Sequence, residues 1–255
     1  KRSLIVENAH HIISGEPLQK GSKTDDFFFL ETDGEAAQRL VCDLVTTRLP
    51  RSYGFDPIRD IQVLCPTKLG PTGTQALNVE LQNLLNPPQK GKPQLQSAAR
   101  VFRVGDKVMQ VRNNYDILWR EEGGTASGMG MFNGDIGVIR TVDKEVVLVD
   151  FDGKLVEYTP DMLGELEPAF AVTVHKAQGS EYRAVILAAL DGAPMLMTRG
   201  VLYTAITRAK SLFIVVGDDE AVARMVSNNR QARRYSGLRA RLAGESEEGG
   251  DAALP

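Results

Sequence analysis

Five short, almost uninterrupted apolar runs constrain this chain most: "FFFLE" (27–31), "IQVLCPT" (61–67), "FAVTVH" (170–175), "AVILAAL" (184–190) and "LFIVVG" (212–217). A strand that is apolar on both sides needs cover on both faces, which a parallel sheet with helices above and below it provides. Helical patterns fill the intervals at 34–49, 72–85, 198–209 and 218–226. Strand and helix alternate, so the expected fold class is α/β with a parallel sheet.

Residues 101–159 follow a different pattern. Period-two segments ("FRVGDKVMQV", "IGVIRTV", "VVLVDF", "KLVEYT") are separated by the turn signals "NNYD", "NGD", "VDK" and "DG". They predict an antiparallel β unit of small-barrel size, inserted into the larger domain. Pro87, Pro88, Gly91 and Pro93 mark the entry, and Gly164 and Pro168 mark the return. The expected organisation is 1–98 and 167–243 as the two parts of the α/β domain, 99–166 as the insertion, and 244–255 as a disordered acidic tail. Within the insertion, "REEGGTASGMGMFNG" is too glycine-rich to be expected as a strand and is read as a mobile hairpin tip.

With 255 residues, 42% of them hydrophobic, a buried core is readily supplied. The net charge of −3 excludes a global basic field, although without the four acids of the tail (Glu245, Glu247, Glu248, Asp251) the balance is about +1. No apolar run reaches the roughly 18 residues of a membrane-spanning helix, and residues 1–30 do not read as a secretory signal. A cytoplasmic location without membrane contact is therefore expected. Cys42 and Cys65 lie in apolar surroundings without metal-ligand spacing and are expected as reduced core residues, so no metal site is predicted. Beginning at Lys1, the chain is expected to be a piece of something longer.

A phosphate-cradling loop of the form G-x-x-x-x-G-K-[ST] would open a helix after a strand. "KGSKT" (20–24) places serine between glycine and lysine, and "LGPTGT" (69–74) has no lysine after its second glycine. Asp218 in "FIVVGDDE" is expected to cap the next helix, and "VDFDG" to form a hairpin turn. On the helix expected at 198–209, Thr204, Thr207 and Arg208 share one sector, opposite Leu202, Ala205, Ile206 and Ala209. Arg208 is then either an ordinary surface arginine or a cation aimed at a nucleotide supplied by another domain.

In "AVTVHKAQGSE" (171–181), Thr173 and His175 leave one side of the strand near its carboxyl end, where α/β sheets place ligands. His175, Lys176, Gln178 and Gly179 form a polar turn suited to a phosphate backbone. Arg112, Asn113, Asn114 and Tyr115 combine phosphate donors with one aromatic ring, the mixture a single-strand groove uses. Their alternative is a turn with a core-facing tyrosine. Phe132 and Asn133 are left equally open, Trp119 is either a core residue or a hairpin anchor, and His10 and His11 are read as structural residues following a helix.

"TVHKAQGSEY" and "LYTAITRAK" resemble motifs V and VI of superfamily 1 DNA helicases, in the RecD-like branch that also includes the helicase portions of TraA-type conjugative proteins. "VLCPTKLGPTGTQALNVELQNLLNP" (63–87), "GDKVMQVRNNYD" with "MFNGDIGVI" (105–139), and "SLIVENAHHIISGEP" (3–17) sharpen the resemblance, which runs from Ser3 to Leu242. It implies a second RecA-like domain, of P-loop NTPase type but without its own phosphate loop, carrying an inserted small β-barrel of the Src-homology kind. The first RecA-like domain of the same parent chain would supply the phosphate loop, the acidic pair for Mg2+ and most of the ATP site. Arg208 then maps to the motif VI arginine. Glu181 maps to the motif V glutamate near the ribose, with Gly179 beside the nucleotide. Thr173, His175, Lys176, Gln178 and Gly179 link single-stranded DNA to nucleotide state. The motif IV Arg-Gln pair would lie just before Lys1.

The resemblance therefore implies the C-terminal motor part of an ATP-dependent DNA helicase, moving 5′ to 3′ on single-stranded DNA and inactive as this piece alone. A nuclease–helicase complex is a further partner it implies. A non-catalytic binding module that keeps the fold, and the helicase part of a conjugative relaxase, remain as alternatives.

Overall fold

The apolar runs lie side by side in the computed structural model, which describes residues 3–230 apart from 23, 99 and 191. In chain order come α1 (Leu4–Ser14), β1 (Phe27–Glu31), and α2 (Gly34–Asp43), which continues through one π turn (Leu44–Arg48) into α3 (Leu49–Tyr53). Next are β2 (Ile61–Cys65), α4 (Thr74–Leu85), the hairpin β3 (Gln94–Ser97) and β4 (Arg100–Arg103), and β5 (Lys107–Gln110). The strands β6 (Asn114–Glu121), β7 (Ser127–Met131), β8 (Ile136–Val142), β9 (Val147–Phe151), β10 (Lys154–Tyr158) and β11 (Leu166–Pro168) follow. The chain then forms β12 (Ala171–Thr173), a 3-10 turn (Val174–Ala177), β13 (Tyr182–Ala189), α5 (Arg199–Ile206), β14 (Ala209–Gly217) and α6 (Asp219–Ser227). The acidic tail expected at 244–255, and residues 231–243 before it, lie outside the described residues.

The parallel sheet has the order β1-β14-β13-β2-β12. Ile186 in its middle strand stands level with Val63 on one side and Ile214 on the other. Side chains alternate in β13: Val185 and Leu187 pack with Ile12, Leu202, Ile206 and Met225 on one face, and Ile186 and Ala188 with Val41, Leu49, Leu77 and Leu81 on the other. Helices thus cover both faces, which is why those runs carry no polar stripe. The edge strand β12 is held by a side chain: Asn78 of α4 donates to the Ala171 carbonyl at 2.8 Å and accepts from its amide at 2.9 Å, in the manner of a neighbouring strand. Both cysteines are buried and free, and burial, aided by the charge of Glu80, pushes the Cys42 thiol up to about 11.

The antiparallel unit is a seven-stranded ladder in the order β11-β5-β8-β9-β10-β6-β7, with its own core around Val108, Ile139, Val149, Val156, Tyr158 and Leu166. Its glycine-rich stretch departs from expectation. Ser127–Met131 is a strand, paired with β6, and only residues 122–126 form the tip. Gly128 is required there because the Trp119 ring lies against it: a Cβ at that position would come within 2.6 Å of the indole. Trp119 thereby anchors the hairpin, with the Lys154 ammonium 4.9 Å above its ring. "NNYD" is likewise only partly a turn, since β6 begins at Asn114. Other boundaries shift as well. The helix expected to stop at 49 continues to Tyr53, His10 and His11 lie inside α1, and Asp218 caps α6 as expected, accepting from the Glu220 amide at 3.0 Å.

Gly105-Asp106-Lys107 joins the two units. The Asp106 carboxylate accepts from Gln82 of α4 and from Asn86, which caps that helix, both at 2.6 Å, and from the Arg103 amide at 2.8 Å. Lys107 reaches the other way, donating to the Ile61 carbonyl at 3.0 Å, while its own carbonyl accepts from Ala169 at 2.8 Å. Among the described residues no helix is long and apolar enough to cross a membrane.

Burial lowers the Lys107 pKa from 10.5 to about 7, against a smaller upward pull from Asp56. The folded state then binds fewer protons than the unfolded one between those values, so this residue's contribution to stability rises with pH through that window. Urea titrations from pH 7 to pH 9 are expected to show this rise, with a slope of at most about 1.4 kcal/mol per pH unit. Lys107→Met is expected to flatten it.

Candidate functional site

The polar turn after β12 is shaped by two small apolar anchors. Val174 and Ala177 of the 3-10 turn are buried, and their neighbours His175 and Gln178 face outward. The amides of Gln178 and Ser180 close the turn on the carbonyls of His175 (3.3 Å) and Ala177 (3.2 Å). Gly179 adopts φ +87° with open space where a Cβ would sit, so its backbone conformation rather than crowding calls for glycine. From Thr173, level with Cys65, the chain travels back across the sheet to Tyr182, where β13 starts.

This path corrects the expected placement. Thr173 lies at the carboxyl end of its strand, but Glu181 and Arg208 lie at the amino ends of β13 and β14, where Tyr182 pairs with Ala209. Arg208 is also not on a helix. Helix α5 ends at Ile206, Thr207 caps it, and Ala209 already belongs to β14. A strand and a helix meet within three residues here, and Thr207 marks the change by donating back to the carbonyls of Tyr203 (3.0 Å) and Thr204 (2.9 Å). His175, expected at the end of a strand, sits in the 3-10 turn.

The Arg208 guanidinium is half-buried and held by neutral acceptors: Nε donates to the Thr204 carbonyl (3.2 Å), one terminal nitrogen to the Ser180 carbonyl (3.0 Å), and the other to the Thr207 hydroxyl (3.2 Å). Five N–H donors serve three acceptors, so two remain to be used. Glu181, 58% exposed, pairs with Lys210 at 3.2 Å. His175 and Gln178 open onto a cleft of about 530 Å3 bounded by Thr198, Arg199, Tyr203 and Thr204. Lys176 is bound within the chain, donating to Glu167 at 2.5 Å. Burial pushes the Glu167 carboxyl up, but Lys176, Arg100 and Lys68 together outweigh that and hold it below the usual range.

In the antiparallel unit Arg112 and Asn113 are exposed, and Tyr115 is 65% exposed rather than facing the core. The Tyr115 ring meets Phe132 edge-on, with centroids 5.8 Å apart. Asn113 accepts from the Asn133 amide at 2.9 Å and donates to the Tyr115 hydroxyl at 3.3 Å. Asn114 is committed to the fold. Its amide nitrogen bonds Glu165 (3.0 Å), and its oxygen accepts from the amides of Asp116 and Ile117, each at 3.1 Å. Sequence reasoning did not foresee that the two patches touch. The 132–135 turn packs on the polar turn, with the Lys176 carbonyl 3.7 Å from where a Gly134 Cβ would be. Tyr115, Phe132, Gly134 and Lys176 therefore follow one another across the surface. Nothing in the spacing of residues 42 to 61 positions apart signals this.

At the carboxyl edge of the parallel sheet, a cleft of about 580 Å3 is bordered by Glu31, Asp33 and Asp218 beside Gly34, Gly70 and Thr72. Three carboxylates make it a poor seat for a triphosphate. No group of three or more His, Cys, Asp or Glu side chains among the described residues is arranged to hold a metal ion.

Comparison with known proteins gives two matching family models. One is described as an ATP-dependent RecD-like DNA helicase SH3 domain, over residues 77–151. The other is the UvrD-like helicase C-terminal domain, over residues 168–216. The chain is 33% identical over 229 residues to the ATP-dependent RecD2 DNA helicase of Deinococcus radiodurans, covering 90% of this chain and 29% of that protein. It is 32% identical over 183 residues to the RecBCD enzyme subunit RecD of Mycobacterium tuberculosis, covering 71% and 28%. The chain thus spans under a third of the length of these relatives. A solved structure of Pif1 helicase from Bacteroides, in complex with ADP-AlF3 and ssDNA, is similar at a TM-score of 0.47 and 16% identity, over 97% of this chain and 55% of that one.

Replacing Lys176 with methionine takes away the strongest of the influences holding Glu167 ionised. The Glu167 carboxyl is expected to titrate at higher pH in Lys176→Met, read by NMR of the labelled carboxylate. An unmoved titration would show that the ion pair does not persist in solution.

Proposed function

We propose, for a chain that is a relative of the RecD-like DNA helicases, that it forms the far wall of an ATP site and couples that site to single-stranded DNA. ATP and Mg2+ are held mainly by an N-terminal RecA-like domain of the same parent, which brings the phosphate loop and the acidic pair. Arg208 is the cation this wall contributes to the transferring phosphoryl group. Glu181 turns from Lys210 to the ribose, beside Gly179. DNA passes over Thr173, His175, Lys176 and Gln178. It continues onto the inserted unit, read as a small barrel, where Arg112 and Asn113 meet phosphates and Tyr115, with Phe132, offers a ring to a base. Asn114 supports that loop from within. Movement is 5′ to 3′, in the cytoplasm, alone or within a nuclease–helicase complex.

The observation that carries this reading is the hold on Arg208. A guanidinium resting on two carbonyls and a hydroxyl breaks no ion pair when it swings to a phosphate. It exchanges neutral acceptors for a charged, bidentate one and gains that partner's Coulomb attraction. Its rest on Ser180 also ties it to the turn that bears His175 and Gln178, so one movement changes both. The acidic cleft at the sheet's other edge supports the view that the triphosphate is not bound there.

In the full parent chain, Arg208→Ala is expected to lower ATP hydrolysis by about three orders of magnitude or more, with single-stranded DNA affinity within about twofold. The present chain alone is expected to show no ATP turnover. Hydrolysis that survives Arg208→Ala would give the arginine a packing role and favour a binding module that has kept the fold.

A further inference from the structure

We propose that Lys107 is a positioning residue for Arg208: it carries displacement of the antiparallel unit, through the ring of Tyr182, to the strand end that bears the arginine. The inference rests on the role given above to Arg208.

Lys107 is 3% exposed. Among the described residues its amino nitrogen has one hydrogen-bond acceptor, the Ile61 carbonyl at 3.0 Å, and stands 5.9 Å from the centroid of the Tyr182 ring. Burying an amino group with so little compensation costs stability, whereas a methionine would fill similar space without that cost. Attachment of the unit does not require the lysine either, because Asp106 next to it already fastens β5 to α4 through Gln82 and Asn86. What Lys107 adds is a directional contact with the amino ends of two neighbouring strands, since Ile61 begins β2 and Tyr182 begins β13.

Tyr182 is the intermediate. Its amide donates to the Arg208 carbonyl at 2.8 Å, and it lies opposite Ala209 in the ladder. Its hydroxyl is buried beside Ser180 without a well-formed hydrogen bond, and the Ser180 carbonyl is the one that holds the Arg208 guanidinium. The Lys107 amino group, held on the Ile61 carbonyl and lying over the ring, fixes the ring's plane by contact whether or not it carries its extra proton. Tilting that plane shifts both the backbone that carries Arg208 and the turn on which its guanidinium rests. The antiparallel unit also touches the same turn from outside, at Gly134 and Lys176. The arginine is thus flanked by two contacts from the same antiparallel unit.

The test uses steady-state ATP hydrolysis by the full parent chain with oligo(dT) as the DNA. For Lys107→Met the expected result is a kcat at least about tenfold lower, with the KM for ATP and the Kd for oligo(dT) within about twofold and the Tm not lowered. Lys107→Arg is expected to restore most of the kcat. Tyr182→Leu should reproduce the loss and Tyr182→Phe should not, and this pair carries the test by itself if a lysine variant does not fold. Wild-type kcat in both Lys107→Met and Tyr182→Leu, or KM, Kd and Tm deteriorating together with kcat, overturns the proposal. Arg208→Ala run alongside separates the two levels. If it abolishes hydrolysis while Lys107→Met does not, only the coupling fails; if it hydrolyses ATP like wild type, the reading of Arg208 fails as well.

Discussion

Strand β13 lies in the middle of the parallel sheet with both faces buried, and the rest of the molecule is arranged around that requirement. Its backbone is taken up by β2 and β14, and its side chains alternate between two helical layers. A strand so enclosed cannot shift without breaking two ladders, so its ends are fixed points. Both groups proposed to face nucleotide, Glu181 and Arg208, are attached at its amino end or at that of its neighbour. The polar turn exists because the chain must return from the end of β12 to the start of β13 across the sheet. That return can be short only because Gly179 takes a left-handed conformation.

The charged groups of the site are not equivalent, and the difference is physical. Arg208 rests on neutral oxygens, so an incoming phosphate has no carboxylate to displace. Lys176 is tied to a half-buried carboxylate that its charge helps keep ionised, and freeing it leaves Arg100 as the ion-pair partner of Glu167. Glu181 and Lys210 pair in the open, where such bridges are worth little and exchange readily. By this ordering, an incoming anion has no carboxylate to displace at Arg208, whereas at Lys176 it competes with Glu167.

Much of this was legible beforehand. The run at 27–31 is a strand end to end, those at 61–67 and 212–217 gave strands at Ile61–Cys65 and Ala209–Gly217, and Asp218 capped its helix as its place after a strand implied. The failures share a cause. Ser127–Met131 reads as loop by composition, but Trp119 across the ladder covers the glycine and makes it a strand position. Arg208 reads as helical by periodicity, yet β14 claims Ala209 and the helix ends two residues before the arginine. Asn114 resembled a free donor until Glu165, distant in sequence, was seen to hold it. In each case a partner far along the chain overrode a local preference.

The sequence by itself determined the layered α/β architecture, the antiparallel insertion and the motifs that tie the chain to RecD-like helicases, because strand period, apolar continuity and turn chemistry are local properties. Only the tertiary structure decided which edge of the sheet carries Arg208, which cations are already paired, and that the patch at Tyr115 adjoins the turn at Lys176. It also decided that Lys107, an unremarkable lysine in a period-two strand, is buried between two units. Those outcomes depend on which distant groups meet and on the desolvation that follows, and neither is written in any local stretch of residues.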